Sequence, residues 1–186
     1  MRCYLWICIG FLILASQVSK AQSGLYRCND GKVRFISDAS LELIEATSDG
    51  LKGLLDPKTN RFAFSVDIVS FTGFNSPLQM EHFRENYMEI SRFSTATFEG
   101  RIIEQIDLSK SGSHEVRAKG KMSIHGISKE LILPCILTSD GAKIDAQANL
   151  TIALADYNIS IPKVVSKKVA EEITVQVSAV LEKGNE

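Results

Sequence analysis

The sequence predicts an all-β protein of about eight antiparallel strands with one short helix near residues 77–90. Three observations support this fold class. Many runs alternate between apolar and polar residues, turn-forming residues separate the runs, and few stretches have a helical apolar period. Strands are expected at residues 33–37, 41–46, 61–71, 97–104, 115–124, 130–137, 143–154 and 173–181.

The clearest strand covers residues 115–124, where Val116, Ala118 and Met122 share one face and charged residues share the other. This alternation is typical of a sheet with one face in water. Consecutive hairpins of this kind fit an up-and-down barrel or a sandwich. Two runs of about 10 residues favour the barrel, whose tilted strands are long.

Turn signals divide the strands and contain Asn, Asp, Ser, Gly or Pro. They lie at residues 29–31, 48–50, 56–60, 111–112 and 139–141. We expect the chain to reverse direction at each of them.

The helical stretch reads MEHFRENYMEISRFSTATFEG over residues 80–100. Its apolar residues recur at the spacing of one helix face. We expect that face to pack on the barrel and to consist of Met80, Phe83, Tyr87 and Ile90. Asn75 or Ser76 is a suitable N-cap before Pro77. The helix is therefore expected to cap the barrel, either as a simple seal of the core or as a wall of a cavity.

A second irregular stretch covers residues 156–163, between the last two long strands. Val164, Val165 and Val169 follow it, separated by polar residues. We expect a short helix or a loop here, at the rim opposite the helix.

The predicted inward face contains several small residues, among them Ala118, Ala146 and Ala148. Small inward residues leave volume inside an eight-stranded barrel, which holds either packed side chains or one ligand. A concave, mostly apolar space is typical of a site for an apolar ligand. The alternative is that the helix and the large side chains fill this space completely.

The first 21 residues have the layout of a secretory signal peptide. An apolar run of about 12 residues follows Arg2, and Ser19 and Ala21 stand at −3 and −1 of a possible cleavage site. An uncleaved anchor is the alternative, although a transmembrane helix needs about 20 apolar residues. Cleavage would leave one exported domain, residues 22–186, without another segment able to span the membrane.

Cleavage would also change the net charge from −1 to −3, because it removes Arg2 and Lys20 but no acidic residue. Without a basic patch, the domain is not expected to bind nucleic acid. Cys28 and Cys135 would remain, and an exported protein can pair two such cysteines in a disulfide. The alternative is that they are two small buried hydrophobic residues.

Three separated motifs resemble those of the YceI-like lipid- and polyisoprenoid-binding proteins. Residues 80–100 resemble the family's H-F-x-E-N-Y…T/A-x-F-x-G signature, residues 122–129 its L-T-I-H-G-V-T-K turn, and residues 156–162 its D-Y-G-I-x-I-P loop. The resemblance implies a lipocalin-like eight-stranded barrel with a long apolar tunnel, exported to the periplasm. Ser94 replaces the family's proline, and Asn158 replaces a glycine for which asparagine is the next-best residue.

These considerations predict a binding or carrier protein for a polyisoprenoid, fatty amide or quinone-like lipid. The alternative is a packed structural or stress-response domain without a dedicated ligand. We expect His82, Arg84 and Lys163 to form the rim that contacts a head group. The cavity is expected to be lined by Phe62, Phe64, Val66, Phe83, Tyr87, Phe98, Ala118, Met122, Ala148, Leu150, Ile152, Val175 and Val177.

No motif in the sequence indicates catalysis. The nucleophile elbow, the zinc-protease motif, the phosphate-binding loop and the dinucleotide fingerprint are all missing. His82, His114 and His125 have no neighbouring ligands at metal-binding spacing. We expect His82 and His125 to hold the helix and a turn by hydrogen bonds to the backbone. Neither an enzyme nor a bound cofactor or metal is expected, and oligomerisation is possible but not readable from the sequence.

Overall fold

The computed structural model describes residues 24–184, which form a closed antiparallel barrel of eight strands. Each strand pairs with the next, and the last pairs with the first. The strands are β1 (Tyr26–Asp38), β2 (Leu43–Asp56), β3 (Arg61–Asp67), β4 (Thr95–Ile102), β5 (Gly112–Ile124), β6 (Ile127–Ser139), β7 (Lys143–Ala153) and β8 (Glu172–Lys183). The all-β prediction is confirmed, and the barrel is the correct architecture. The predicted signal peptide, residues 1–21, lies outside the described residues.

The alternating pattern in the sequence corresponds to the two faces of the barrel wall. On β5, Val116 and Ala118 are buried in the interior, whereas Arg117 and Lys119 point to solvent. This is the arrangement that a strand with a period of two residues produces when one face is dry.

Two of the predicted turns are instead part of continuous strands. Residues 29–31 lie within β1 and residues 48–50 within β2, and the β1–β2 register shifts at this point. The shifts are β-bulges, which Gly and Asn tolerate better than other residues. Gly31 is needed for a close approach, because a Cβ there would lie 2.9 Å from Cys28 Sγ and 3.2 Å from Ala179 Cβ.

The prediction that residues 61–71 form one strand is also wrong at its end. β3 stops at Asp67, and Ile68–Ser70 form a 3-10 turn. This turn starts the connection to β4. β2 pairs with β3 only over residues 52–56, which leaves a gap, or seam, in the wall beside the earlier part of β2. The connection closes this seam, because Thr72 exchanges backbone hydrogen bonds of 2.8 and 2.9 Å with Thr47 of β2.

A second seam lies between β6 and β7, which pair only from Cys135–Ala148 to Ser139–Ile144. The remaining halves of both strands diverge without cross-strand pairing. At the outer end of this seam, Lys129 Nζ lies 2.5 Å from Asp156 Oδ1. The ion pair is half-exposed, so it is a weak tie between the two strands.

The helix is shorter than predicted and changes its pitch. α1 (Pro77–His82) is capped by Ser76, whose Oγ accepts a hydrogen bond from the Gln79 amide at 3.1 Å. It continues as one π-helical turn, Phe83–Tyr87, rather than to residue 90. The wider turn brings Phe83 and Tyr87 onto the core, whereas Met80 is not part of the core packing. Ile90 does pack on the core, but from the turn after the helix.

The closed meander sends connections to alternating ends of the barrel. The β1–β2, β3–β4, β5–β6 and β7–β8 connections therefore meet at one end, which we term the mouth. Residues 154–171 leave β7 at this end, so the prediction that they lie at the rim opposite the helix is wrong. This stretch contains two 3-10 turns, Leu154–Tyr157 and Lys163–Val165.

The opposite end, which we term the closed end, is sealed by the β4–β5 connection. Leu108 is 1% exposed there, and its carbonyl accepts a 2.7 Å hydrogen bond from Ser139 Oγ. Tyr26 donates from its hydroxyl to the Gly141 carbonyl at 3.1 Å, which ties the β6–β7 turn to β1. The interior can therefore be reached more easily from the mouth.

Candidate functional site: an apolar cavity that opens at the mouth

The barrel interior contains a cavity of about 170 Å³, which we term the inner cavity. Apart from Ser65, Thr97 and Gln147, its lining side chains are apolar. For comparison, a dry engineered cavity of about 150 Å³ lined by apolar side chains binds benzene. Eleven of the residues expected from the sequence line it: Phe62, Phe64, Val66, Phe98, Ala118, Met122, Ala148, Leu150, Ile152, Val175 and Val177.

Glycine 53 helps to shape the wall of this cavity. It pairs with Phe64 across β2 and β3, and a Cβ at Gly53 would lie 2.2 Å from the Phe64 ring. The glycine therefore leaves room for the ring, which packs in turn against Phe62 at 6.1 Å between centroids.

The sequence reasoning missed further lining residues nearer the closed end, including Leu51, Leu55, Ile102 and Leu137. Leu51 and Leu55 follow a predicted turn at residues 48–50 that turned out to be a bulge, so their strand was not recognised. Ile102 and Leu137 lie in predicted strands, and their inward positions follow from the same alternation.

A larger cavity of about 410 Å³ lies under the helix, and we term it the mouth cavity. Phe83 and Tyr87 line this cavity rather than the inner one, together with His82. Burial raises the pKa of Tyr87, so its hydroxyl stays protonated and can donate a hydrogen bond.

The two cavities adjoin each other. They share a ring of six apolar lining residues: Val33, Val66, Ala96, Ile124, Ile152 and Val175. The two cavities therefore meet at a common apolar wall between the mouth and the barrel interior.

Four phenylalanines of the mouth cavity lining form one aromatic group. Phe83 stacks on Phe35 at 5.3 Å between ring centroids, and Phe74 lies 5.0 Å from Phe83. Phe71 completes the group at 5.9 Å from Phe83. Phe35, Phe71 and Phe74 were not among the expected site residues. Phe71 was assigned to the end of a strand that in fact stops at Asp67, and Phe74 lies in an irregular stretch without a usable period.

The three predicted rim residues are placed differently from one another. His82 lines the mouth cavity, whereas Arg84 and Lys163 do not. Arg84 instead donates from Nη2 to the carbonyls of Val69 at 2.6 Å and Phe71 at 3.5 Å. The cationic side chain that does line the mouth is Lys168, alongside the polar residues Ser37, Glu42, Ser76 and Gln79.

The three sequence motifs converge on His125, beside the mouth. His125 is buried, and its Nδ1 lies 3.0 Å from the Tyr157 carbonyl. Its Nε2 lies 3.3 Å from Glu89 Oε1, and the Phe93 ring packs edge-on at 4.7 Å. His125 thus joins the segment after the helix, the β5–β6 turn and the β7–β8 connection, as expected for a residue that fixes a turn through the backbone.

This junction also concentrates unusual backbone conformations. Glu89, His125 and Asn158 have φ values of 44°, 50° and 56°. Only glycine adopts this left-handed region without cost, although asparagine tolerates it well. The expected left-handed turn at Asn158 is confirmed. Arg92 Nη1 lies 2.6 Å from Glu89 Oε2 and lowers the pKa of Glu89, which keeps this carboxylate charged.

The two cysteines are free, and the suggested disulfide is absent from the structure. Cys28 lies on β1 and Cys135 on β6, and these strands are not neighbours in the barrel. Cys28 is buried, and Cys135 lines the inner cavity. Burial in this apolar space raises the pKa of the Cys135 thiol to about 11, so it behaves as a small apolar side chain.

Residues 24–184 contain no group of three or more His, Cys, Asp or Glu side chains arranged to hold a metal ion. Within the same residues, no helix has the length and apolar character needed to cross a membrane. The lining of the two cavities offers an apolar surface, with its charged side chains at the mouth.

Comparison with known proteins identifies the family. The family model for YceI-like domains matches residues 30–181. The chain belongs to the YceI-like family. No curated protein sequence matches it.

Solved structures share this YceI-like fold. A polyisoprenoid-binding domain from Saccharophagus degradans has a TM-score of 0.72 and 16% identity, over 87% of this chain and 99% of that one. BcnA from Burkholderia cenocepacia has a TM-score of 0.66 and 18% identity, over 81% and 95%. The YceI protein of Campylobacter jejuni has a TM-score of 0.54 and 15% identity, over the whole of both chains. At these identities the likeness establishes the fold of this YceI-like chain.

Proposed function

We propose that this YceI-like protein is an exported binding and carrier protein that holds a long apolar molecule inside its barrel. Candidate ligands are polyisoprenoids, fatty amides and quinone-like lipids. The observation that carries the proposal is the pair of adjoining apolar cavities, which run from the mouth into the barrel. The name of the Saccharophagus degradans neighbour, a polyisoprenoid-binding domain, supports the same ligand class.

The energetics of the site suit a long hydrocarbon chain. Each buried methylene contributes about 0.8 kcal/mol, so about ten of them contribute about 8 kcal/mol. Loss of translational and rotational freedom offsets part of this gain. Because the lining of the inner cavity is apolar apart from three residues, we expect it to discriminate by length and width more than by chain chemistry.

We propose that polar groups at the mouth contact the head group of the ligand. Of the three residues expected there, His82 is the best placed, since it lines the mouth cavity. Arg84 acts through the backbone carbonyls it holds, and Lys163 lies outside the lining. Lys168 and the Tyr87 hydroxyl also line the mouth cavity and are therefore better candidates for direct contact than Arg84 or Lys163.

The signal-like residues 1–21 support export, and we propose the periplasm as the location. We further propose that the protein acts by binding rather than by catalysis, because the lining of the inner cavity contributes few groups able to transfer a proton or attack a substrate. The competing proposal is a packed structural or stress-response domain. A cavity of this size next to the mouth favours the binding protein.

The substitution Ala148→Trp tests this proposal by filling the inner cavity. N-phenyl-1-naphthylamine, whose fluorescence rises in apolar surroundings, serves as the ligand probe. We expect its dissociation constant to rise at least 100-fold while the melting temperature changes by only a few degrees. Thr151→Trp on the exposed face of β7 is the matched control and should bind the probe normally.

Unchanged probe binding by Ala148→Trp would contradict the proposal, as would a wild-type protein that does not bind the probe. Unfolding of Ala148→Trp would favour the packed domain. In that case Val177→Phe, which adds less volume to the same cavity, separates the two explanations. A folded Val177→Phe protein with weakened probe binding supports the carrier, and a second unfolded variant supports the packed core.

A further inference from the structure

The mouth is surrounded by exposed apolar side chains. Among the large hydrophobic residues of the described chain, the three most exposed are Val164 at 88%, Leu41 at 67% and Leu78 at 59%. They lie on three different segments of the mouth end: the β7–β8 connection, the β1–β2 turn and α1. We term them the apolar tips. Exposed aliphatic residues clustered on one end of a protein mark an interaction surface.

Hydrogen bonds join the segments that carry the apolar tips. The Leu41 amide donates to the Lys167 carbonyl at 2.9 Å, which fixes the β1–β2 turn to the β7–β8 connection. Gln79 Nε2 donates to Glu42 Oε1 at 3.0 Å, which fixes α1 to the same turn. Leu78 also lines the mouth cavity. The tips therefore form one linked rim beside the opening.

Lysines accompany the most exposed tip. Lys163, Lys167 and Lys168 flank Val164 and are exposed, and none lies within 4 Å of a carboxylate in residues 24–184. The total charge of this end is mixed, because it also carries the acidic residues Asp38, Glu42, Glu81, Glu85, Glu171 and Glu172 and the ion-paired Asp67, Glu89 and Asp156. The cationic character is thus local to Val164, and the apolar tips carry the larger part of any interaction.

We propose that this rim docks on the surface of a lipid bilayer that contains anionic lipids. Val164, Leu41 and Leu78 insert among the head groups, and the lysines lie against lipid phosphates. A protein partner fits the rim less well, because protein interfaces centre on aromatic and arginine anchors. Docking goes beyond ligand binding: it places the mouth at the membrane, where an apolar chain moves between bilayer and barrel without crossing water.

Flotation with lipid vesicles tests the docking. The full protein is mixed with vesicles of phosphatidylethanolamine and phosphatidylglycerol in a 3:1 ratio, or with phosphatidylcholine vesicles. We expect it to float with the first kind and less with the second. Val164→Asp combined with Leu41→Asp should lower the partition coefficient at least tenfold. Replacing Lys163, Lys167 and Lys168 by Gln should lower it a few-fold on anionic vesicles and remove its salt dependence.

Ile132→Asp is the matched control, because Ile132 is 54% exposed but lies on the outer barrel wall. It should leave flotation unchanged. Docking is refuted if the wild-type protein floats with neither vesicle, or if Ile132→Asp lowers the partition as much as the rim variant does. If the rim variant changes only the sedimentation of the protein without vesicles, the rim is an interface between two copies of this chain. That result also refutes membrane docking.

The outcome is separable from that of the proposed function. Binding of N-phenyl-1-naphthylamine is measured without vesicles, and the two residues changed in the rim variant, Val164 and Leu41, line neither cavity. Loss of flotation with intact probe binding would refute the docking surface alone. Flotation without probe binding would refute the carrier and leave the docking surface in place.

Discussion

The two ends of the barrel are built from the same chain by opposite means. At the closed end, short connections bury Leu108 and are held by hydrogen bonds such as Ser139 Oγ to the Leu108 carbonyl at 2.7 Å. At the mouth, longer connections form the helix and the 3-10 turns, and Phe74, Phe83 and Tyr87 on these connections are only partly buried. One end is therefore a packed seal, whereas the other keeps a cavity beneath partly buried rings.

The closed end should be the more sensitive to loss of volume. Leu108→Ala removes a fully buried side chain and should lower the free energy of unfolding by about 2–5 kcal/mol, because the cavity left behind cannot collapse fully. Urea denaturation measures this change. Ile103→Ala, on an exposed side chain of the same connection, is the control and should cost less than about 1 kcal/mol. Equal effects at the two positions would contradict the tight seal.

A truncated side chain at the mouth should cost less stability than one at the closed end, but it should weaken the retention of a ligand more. Phe83→Ala removes a half-buried ring from the group with Phe35, Phe71 and Phe74. We expect a loss of about 1–2 kcal/mol, below the range for fully buried phenylalanines, and faster dissociation of N-phenyl-1-naphthylamine. Stopped-flow fluorescence measures the rate, with Val164→Ala as the control, because Val164 is exposed at the same end and lies outside the lining of both cavities. An unchanged rate in Phe83→Ala would show that these rings do not close the mouth.

The N-cap of the helix should affect only the local stability of the mouth. Ser76→Ala removes the bond from the Gln79 amide to Ser76 Oγ and should cost about 1 kcal/mol in α1. Amide hydrogen exchange over residues 77–83 should then become about fivefold faster, while exchange in the barrel strands stays the same. Ser76→Asp, which restores a capping oxygen, should restore the protection. A uniform change across the whole chain would mean that the helix does not open independently.

The smallest expected effect is electrostatic and belongs to the closed end. Several hydrogen bonds lower the pKa of Asp107 from 3.8 to about 2. The one with the largest effect is donated by the Ser109 hydroxyl to Asp107 Oδ1 at 2.5 Å. A lowered folded-state pKa stabilises the protein above pH 3.8 and ceases to do so as the pH falls towards 2. NMR titration of the carboxyl group should show the low value, and Ser109→Ala should raise it. Titration near 3.8 in the wild-type protein would contradict this local structure.

The barrel itself could be predicted because the period of two residues is strong in its strands. Alternation alone predicts that Val116, Ala118 and Met122 face the interior, and all three are buried there. Ala118 and Met122 also line the inner cavity. The residues of β1 and β2 were harder, because Gly31 and Gly50 look like turn residues. Their backbones are needed for bulges within long strands, and no local signal separates a bulge from a turn.

The end of the barrel at which each connection lies follows from the order of the strands. In a meander of antiparallel strands, the connections after β1, β3, β5 and β7 must share one end, so counting strands places residues 154–171 beside the helix. The junction at His125 is different in kind. It depends on Glu89 and Tyr157, which are distant in sequence and meet only once the barrel closes.

The most direct test of the carrier is native mass spectrometry of the protein purified from its own host. We predict that the wild-type protein retains an apolar molecule of defined mass, that Thr151→Trp retains the same molecule, and that Ala148→Trp has lost it. A wild-type protein whose mass is that of the polypeptide alone, with Ala148→Trp indistinguishable from it, would contradict the account.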